Sequence, residues 1–340
     1  MPTIKDVARE AGVSIATVSY VLNKKNNFVS EKTRQQVLEA IQRVGYTPNT
    51  TARNLKANQT RLIGYAWHKI PDYHHVNPMM DSFIYYLAQA AEASGYHLLT
   101  FTHPSGKPEP VYDEMIRSGR VDAFILAETI RDDGRIEFLH SIDYPFVCFG
   151  RSNPDWDFPW VDTDGQTGMR EAVNYLVEMG HRRIAMAAWP EGSISGDFRT
   201  AGYVDGLVNA GLPVRAEYLV RGEHNEQTGR EAVRYWLEMP SAERPTAIVA
   251  VSDIVAIGIL NEIEERGMIP GRDLSVIGFD YTPLVQYLRP ALTTIEQAIP
   301  ETGQALMRML EAVLNKDDSV PMQLLLPPQL IPRNSCGAPP

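Results

Sequence analysis

Apolar residues recur with helical spacing through the first 46 positions, and after residue 62 they recur in short blocks set between helical stretches. Ile4, Val7, Ala8 and Ala11 stand at i, i+3, i+4 and i+7, which makes one apolar helical face. Gly12 follows where a helix needs a residue that enters the left-handed region cheaply. Val13 plugs the turn, and Ser14 carries the side chain of an N-cap. The next stretch turns Val18, Val21 and Leu22 inward and leaves Ile15, Ala16, Thr17, Ser19 and Tyr20 outside. Ser30 caps a third helix with the stripe Val37, Leu38, Ile41 and Val44, which Gly45 ends. Two short helices joined through a Gly turn describe a helix-turn-helix, whose second helix enters the DNA major groove.

Tyr46-Thr47-Pro48-Asn49 is a turn signal, and Thr50 to Asn58 after it spells a helix of about two turns, too short to hold alone in water. Beyond Leu62 the pattern changes. Leu62–Trp67, His97–Phe101, Asp122–Ala127 and Pro145–Gly150 read as buried strands, with helices over Asp81–Ser94, Val111–Ser118 and Arg135–Ser141 between them. A second series has strands at Arg183–Trp189, Glu217–Val220, Ala247–Val251 and Leu274–Gly278. Its helices fall near Gln166–Met179, Arg199–Ala210, Gln227–Glu238 and Ile254–Arg266. This alternation predicts parallel sheets covered by helices on both faces, and two runs of it predict two similar lobes. The expected fold is a small all-α headpiece joined to a two-lobed α/β core.

Charge sharpens that division. Residues 1–61 hold ten Lys and Arg against four Asp and Glu, a net +6, while the rest of the chain carries −16 of the overall −10. A basic nucleic-acid module on an acidic body accounts for the segregation. No apolar run reaches the roughly 18 residues that span a bilayer, and the start of the chain has no signal-peptide core, so a cytoplasmic location is expected. Cys148 and Cys336 are too few for a disulfide framework or a zinc site and read as a core thiol and a tail thiol.

Ligands of parallel sheets bind beyond the carboxyl ends of the strands, so a cleft between the lobes is the expected site. Polar residues just past the strand ends are Arg151, Ser195, Arg199, Ser252, Asp253 and Asp280. Carboxylates accept from hydroxyl groups and guanidinium donates in a fixed fork, so this set suits a polyhydroxylated ligand. Singly, each has an ordinary role open to it: Asp253 could cap its helix, and Arg199 could be a surface charge. Their joint placement is the signal. Trp189 and Phe149 offer aromatic faces for a sugar ring. No GxxxxGK[ST], GxGxxG after the first strand, HExxH or GxSxG occurs, and the eight histidines form no ligand spacing. Neither enzyme chemistry nor a cofactor or metal is expected.

In order along the chain, these segments resemble the LacI (lactose-repressor) family of transcriptional regulators nearly end to end. TIKDVAREAGVSIATVSYVLN is similar to the family headpiece, and Gly45-Tyr46-Thr47-Pro48-Asn49 with Ala52-Arg53-Asn54-Leu55 to its hinge. Gly180-His181-Arg182-Arg183-Ile184-Ala185, Arg199-Thr200-Ala201-Gly202-Tyr203, Ser252-Asp253, Ile277-Gly278-Phe279-Asp280, Leu292-Thr293-Thr294-Ile295 and Pro332-Arg333-Asn334-Ser335 match landmarks of its core.

The resemblance implies a homodimer whose headpieces read a pseudo-palindromic operator in double-stranded DNA. Its domains would be a headpiece at 1–47, a hinge at 48–60 and a periplasmic-binding-protein-like core at 61–340. Within the core, the N-lobe would be 61–160 plus 293–320, and the C-lobe 161–290 plus 321–335. Ile15, Ala16 and Tyr20 would face base edges, the first two by apolar contact alone. Thr3, Ser14, Thr17, Ser19 and Asn23 would bind the DNA with them, the serines, Thr17 and Asn23 through phosphates, which set register rather than sequence. The hinge would fold on DNA and wedge Leu55 into the minor groove, with Arg53 and Lys56 beside it. A sugar effector would sit between the lobes on Arg199 and Asp280, seconded by Arg151, Ser195, Asp253 and Ser252, with Asp81 and Phe83 at the rim. Its binding would release the operator; the alternative is a corepressor, purine-like, that strengthens DNA binding, and a DNA-independent sugar-binding protein stands third. His224 occupies a position where some members place a stacking Trp, and Ser252 one where Asn is common. Both departures bear on which effector is bound.

Overall fold

The computed structural model describes residues 2–22, 28–46, 59–69, 77–104 and 106–340, and for His68 and Lys69 the backbone alone. The chain forms two compact units, Met1–Thr60 and Arg61–Pro340. In the first, helices α1 (Ile4–Glu10), α2 (Ile15–Leu22) and α3 (Glu31–Val44) close over Val7, Ala8, Ala11, Val18, Val21, Val37 and Ala40. Gly12 (φ +63°) after α1 and Gly45 (φ +65°) after α3 take the left-handed conformation that ends a helix. Ser14 Oγ accepts from the Thr17 N–H at 3.1 Å, and Ser30 Oγ from the Thr33 N–H at 3.2 Å, so both serines cap as their spacing predicts. The hinge helix expected within 48–60 falls almost wholly on residues outside the described ones, with Asn23, Arg53, Leu55 and Lys56.

The second unit opens with β1 (Leu62–Lys69), α4 (Pro78–Ala93), β2 (His97–Pro104), α5 (Glu109–Arg117), β3 (Ala123–Leu126), α6 (Gly134–Ser141), β4 (Phe146–Phe149) and β5 (Trp160–Thr163). It continues through α7 (Gly165–Glu178), β6 (Ile184–Ala188), α8 (Ile194–Asn209), β7 (Leu219–Arg221), α9 (Glu226–Glu238), β8 (Ala247–Ala250), α10 (Asp253–Glu265) and β9 (Ser275–Asp280). The remaining elements are β10 (Thr293–Glu296), α11 (Ile299–Asn315), β11 (Gln323–Leu326) and β12 (Gln329–Ile331). Two six-stranded sheets result, in the orders β11-β5-β4-β3-β1-β2 and β12-β10-β9-β8-β6-β7. Every pairing is parallel except that of β12 with β10.

Strand pairing corrects the expected lobe boundaries. The chain crosses between lobes three times, after β5, after β10 and after β11. Thr293–Glu296 pairs with β9 and so belongs to the C-lobe, although 293–320 was assigned to the N-lobe. Gln323–Leu326 pairs with β5 in the N-lobe, although 321–335 was assigned to the C-lobe. Residues 161–163, assigned to the C-lobe, complete β5. The amphipathic α11 does pack on the N-lobe, where Leu306, Met307 and Leu310 meet Met80, Phe83 and Leu87. Its apolar stripe needs the α4 face, whereas the short strands flanking it complete whichever sheet edge they reach.

Helices of the C-lobe approach closely through glycines. A Cβ on Gly202 would overlap the Gln166 carbonyl between α7 and α8. Cβ atoms on Gly229 and Gly258 would overlap the backbone carbonyls of Val255 and Glu226 between α9 and α10. The C-terminal tail is pinned by the buried His181, which bonds Thr246 Oγ1 at 2.8 Å, Ser275 Oγ at 3.1 Å and the Gly337 carbonyl at 2.9 Å. Cys148 is buried in the N-lobe and the half-buried Cys336 donates to the Val276 carbonyl.

Candidate functional site

Helix α2 presents its polar and apolar residues as the pattern requires. Val18 and Val21 are buried, while Ser14, Ile15, Ala16 and Tyr20 are exposed and Thr17 and Ser19 half-buried. The hydroxyls of Ser14 and Thr17 lie 2.9 Å apart, which leaves them side by side at the helix N-terminus, where backbone N–H groups favour a phosphate. Thr3 begins α1, its hydroxyl donating to Asp6 Oδ2 at 2.7 Å. One neighbour escaped the sequence reading: the Phe28 ring stacks on Tyr20 with centroids 5.3 Å apart and planes 28° apart. Phe28 is 71% exposed, so the aromatic pair stands on the surface rather than in the core.

In the second unit a cavity of about 490 Å³ lies between the two sheets, beyond the carboxyl ends of their strands. Arg199 and Asp280 form its floor. Arg199, buried on the first turns of α8, donates from Nη1 to the Val251 carbonyl at 2.5 Å and to Asp280 Oδ1 at 3.3 Å. Its guanidinium lies 3.7 Å from the centre of the Phe279 ring and 5.1 Å from that of Trp189. Asp280 also accepts from Gln297 Nε2 at 2.7 Å. Asp280 and Tyr281 adopt φ of +117° and +56°, conformations that cost a non-glycine residue energy and hold the carboxylate at the cavity floor. Burial raises the Asp280 carboxyl above its ordinary range, with Arg199 opposing, and burial likewise lowers Arg199.

Arg151 and Ser195 also line the cavity. Arg151 lies flat on Phe198, 3.5 Å from the ring centre, and its Nε donates to Asp162 Oδ2 at 2.8 Å. The other four expected contacts do not line it. Ser252 caps α10, accepting from the Val255 N–H. Asp253 is wholly buried behind Asp280, where its carboxyl takes the Thr282 N–H at 2.7 Å and the Thr294 hydroxyl at 2.6 Å. Burial and the neighbouring Asp280 push it up to about 8. It braces the loop that carries Asp280. Phe83 is buried in the N-lobe core against Phe149, and Asp81 is exposed on α4, because the helix turns them away. Asn77, Met79 and Met80 of the same turn face the cavity instead.

Among the lining residues that the sequence does not single out are Glu128, Asp162, Glu223 and Gln297. All four obey the strand-end rule: Glu128, Glu223 and Gln297 follow β3, β7 and β10, and Asp162 lies near the end of β5. The apolar pattern does not reveal β5 and β10, which hides Asp162 and Gln297; Glu128 and Glu223 follow strands that it does reveal. Glu128 is held at φ +50° while the buried Arg135, paired with Asp133 at 2.7 Å, donates to the Ala127 and Glu128 carbonyls at 3.0 and 3.3 Å. Surrounding protein raises its carboxyl pKa. His224 also lines the cavity, edge-on to Trp189 at 4.9 Å.

Three buried polar atoms of lining residues have no hydrogen-bond partner among the described residues: Arg199 Nε, Trp189 Nε1 and Thr163 Oγ1. Two are obligatory donors, and a buried donor without an acceptor is costly. The carboxyl groups of Asp280, Asp162 and Glu128 belong to the same lining. The cavity therefore offers both donors and acceptors to a polar ligand.

Comparison with known proteins agrees with both units. Residues 3–49 match the model described as bacterial regulatory proteins, lacI family, and residues 173–336 match that of a periplasmic binding protein-like domain. The chain is 34% identical over 311 residues to the HTH-type transcriptional repressor CytR of Escherichia coli strain K12, covering 91% of this chain and 88% of that protein. It is 28% identical to a solved complex of the transcriptional regulator CelR with cellobiose, with a TM-score of 0.74 over 98% of this chain and all of that one. Against a Lac repressor dimer bound to operator and the anti-inducer ONPF the identity is 27% and the TM-score 0.81, over 99% of each chain.

Proposed function

Since this chain belongs to the LacI family of bacterial regulatory proteins and is a DNA-binding transcriptional repressor, we propose that a sugar bound between its core lobes releases it from its operator. The observation that carries the sugar is the set of unpartnered donors on Arg199 and Trp189 in the same lining as the carboxyl groups of Asp280, Asp162 and Glu128. Hydroxyl groups donate and accept at once and satisfy both sides; a purely apolar ligand would leave both buried and unpaired. The regulator CelR, solved with cellobiose, is a relative in which a sugar occupies such a protein.

Function follows from binding rather than from chemistry. Arg199 and Gln297 both donate to Asp280 Oδ1, a geometry for holding a ligand and not for attacking it. Two copies of the chain act together, as the Lac repressor dimer does on its operator. Tyr85, Leu284 and Tyr287, large and exposed on the core, are the apolar surface such pairing needs. On DNA, Ile15, Ala16 and Tyr20 face base edges, Thr3, Ser14, Thr17, Ser19 and Asn23 hold the backbone, and Leu55 wedges between Arg53 and Lys56 in the minor groove. Ligand closing the lobes changes the spacing of the two hinges, and with it their capacity to fold on the operator. The ligand shifts this equilibrium only by its differential affinity for the two states; roughly 2.7 kcal/mol gives about a hundredfold change.

Operator affinity measured with and without a panel of sugars tests the reading. Weaker DNA binding in the presence of a bound sugar is expected. Tighter binding would make the ligand a corepressor, and turnover of a sugar would make the cleft an active site.

A further inference from the structure

A second cavity, of about 460 Å³, adjoins the first and shares Arg151, Ile194 and Phe198 with it. The two differ in chemistry. The first has its charged floor of Arg199 and Asp280; the second is walled by Trp156, Phe158, Trp160 and Phe198, with Arg131 and Asp197 among its polar groups. Trp156 and Trp160 are only half-buried, so each keeps part of its surface open, while Phe158 is buried beneath. Arg151 and Phe198 border both cavities: the Arg151 guanidinium lies 3.5 Å from the centre of the Phe198 ring and 5.7 Å from that of Trp160. Among the described residues, the carboxylate paired with Arg151 is that of Asp162, at 2.8 Å.

We propose that the effector is a glycoside of at least two sugar rings, the first held on Arg199 and Asp280 and a further ring seated against Trp156 and Trp160 in the second cavity. This rests on the sugar reading given above and extends it. Pyranose rings have one apolar face of C–H bonds and a rim of hydroxyls. An aromatic wall with polar groups around it matches that division, as the amphipathic character of Trp matches interfaces generally. A polar first cavity orients one ring by hydrogen bonds; an aromatic second cavity adds contact area with little directional demand. Arg151, common to both, serves the linkage between rings, where its N–H groups meet glycosidic and hydroxyl oxygens. The site thereby measures chain length as well as identity.

The test is calorimetric titration of the full-length protein with matched series: glucose, cellobiose and cellotriose; glucose, maltose and maltotriose; xylose, xylobiose and xylotriose. In one series the affinity is expected to rise on the order of tenfold or more on adding a ring. Trp156→Ala and Trp160→Ala should remove most of that increment, Trp156→Phe should restore part of it, and tryptophan fluorescence should respond to the longer glycoside more than to the monosaccharide. Thermal melting of the unliganded variants separates lost binding from lost folding. Equal affinity along every series, or variants that weaken the monosaccharide as much as its longer partners, would overturn the two-ring assignment and leave the sugar reading intact. Failure of every glycoside to bind the wild-type protein would remove both.

Discussion

Arg199 concentrates the chemistry of the cleft in one side chain. It is buried, it reaches Asp280 and the Val251 carbonyl through Nη1, and it keeps Nε for something else. Arg199→Ala is expected to lower sugar affinity on the order of a hundredfold, read by calorimetry. It also leaves Asp280 short of a cation, so the melting temperature falls with it, by the equivalent of about 3 kcal/mol. Operator binding without sugar should persist at temperatures where the variant is folded, separating response from recognition. In the headpiece, Tyr20→Phe isolates the hydroxyl from the ring: a loss of operator affinity assigns a hydrogen bond to it, and an unchanged value assigns the contact to the stacked pair with Phe28. Legibility at this scale divides by cause. Arg199, Asp280, Arg151 and Ser195 could be read because they come after blocks of apolar residues, Arg151 directly and Ser195 and Arg199 on the helix that follows β6. Asp253 and Ser252 follow one too, and the rule does not distinguish a residue facing the cavity from one bracing the loop behind it. Phe28 carries no such signal, since its partner Tyr20 lies eight residues away in the sequence and neither follows a strand.

At the scale of elements, helix contacts through glycine have measurable consequences. Gly258→Ala would drive a methyl group into the Glu226 carbonyl, so α9 and α10 must separate, at about 1–3 kcal/mol read as a lowered denaturation midpoint. The tail staple gives a pH dependence. Burial lowers the His181 pKa below its ordinary 6.5, so the unfolded chain takes up the proton first. The His181 contribution to stability is then full above about pH 6.5 and declines as the pH falls beneath it. His103 is shifted the same way by burial, whereas the raised carboxyl of Asp253 contributes in the opposite sense. The difference in urea midpoint between the wild-type protein and His181→Gln isolates the His181 share, and it should fall between pH 8 and 5. Element type was legible over long periodic stretches such as α3 and α9. The five elements at 160–163, 293–296, 299–315, 323–326 and 329–331 were not picked out, four of them strands of three or four residues whose placement depends on which sheet edge is open.

For the whole molecule, the segregation of charge sets how binding responds to salt. A +6 segment on a −16 body places counterion release in the headpiece. The logarithm of operator affinity should fall linearly with the logarithm of salt concentration. A core lacking residues 1–60 should bind sugar unchanged while losing DNA, since Arg61–Pro340 is compact by itself; retained DNA binding would place the contact surface elsewhere. The division into headpiece and core was plain from periodicity and charge together. The assignment of segments to lobes was not, because three crossings interleave the lobes in a way that local pattern does not encode.

Those crossings also order events during synthesis. Helices α1 to α3 are complete once residue 46 has left the ribosome, and among the described residues their small core contains nothing from further along the chain. Neither sheet of the core can close until the last tenth of the chain has emerged, because β11 borders one and β12 the other. A polypeptide cut short before Thr293 would carry a finished DNA-reading module on a body with two open sheet edges and no α11. Such a fragment would expose its strands to pairing with other chains and be drawn into aggregation or proteolysis before it could occupy an operator without answering to its ligand.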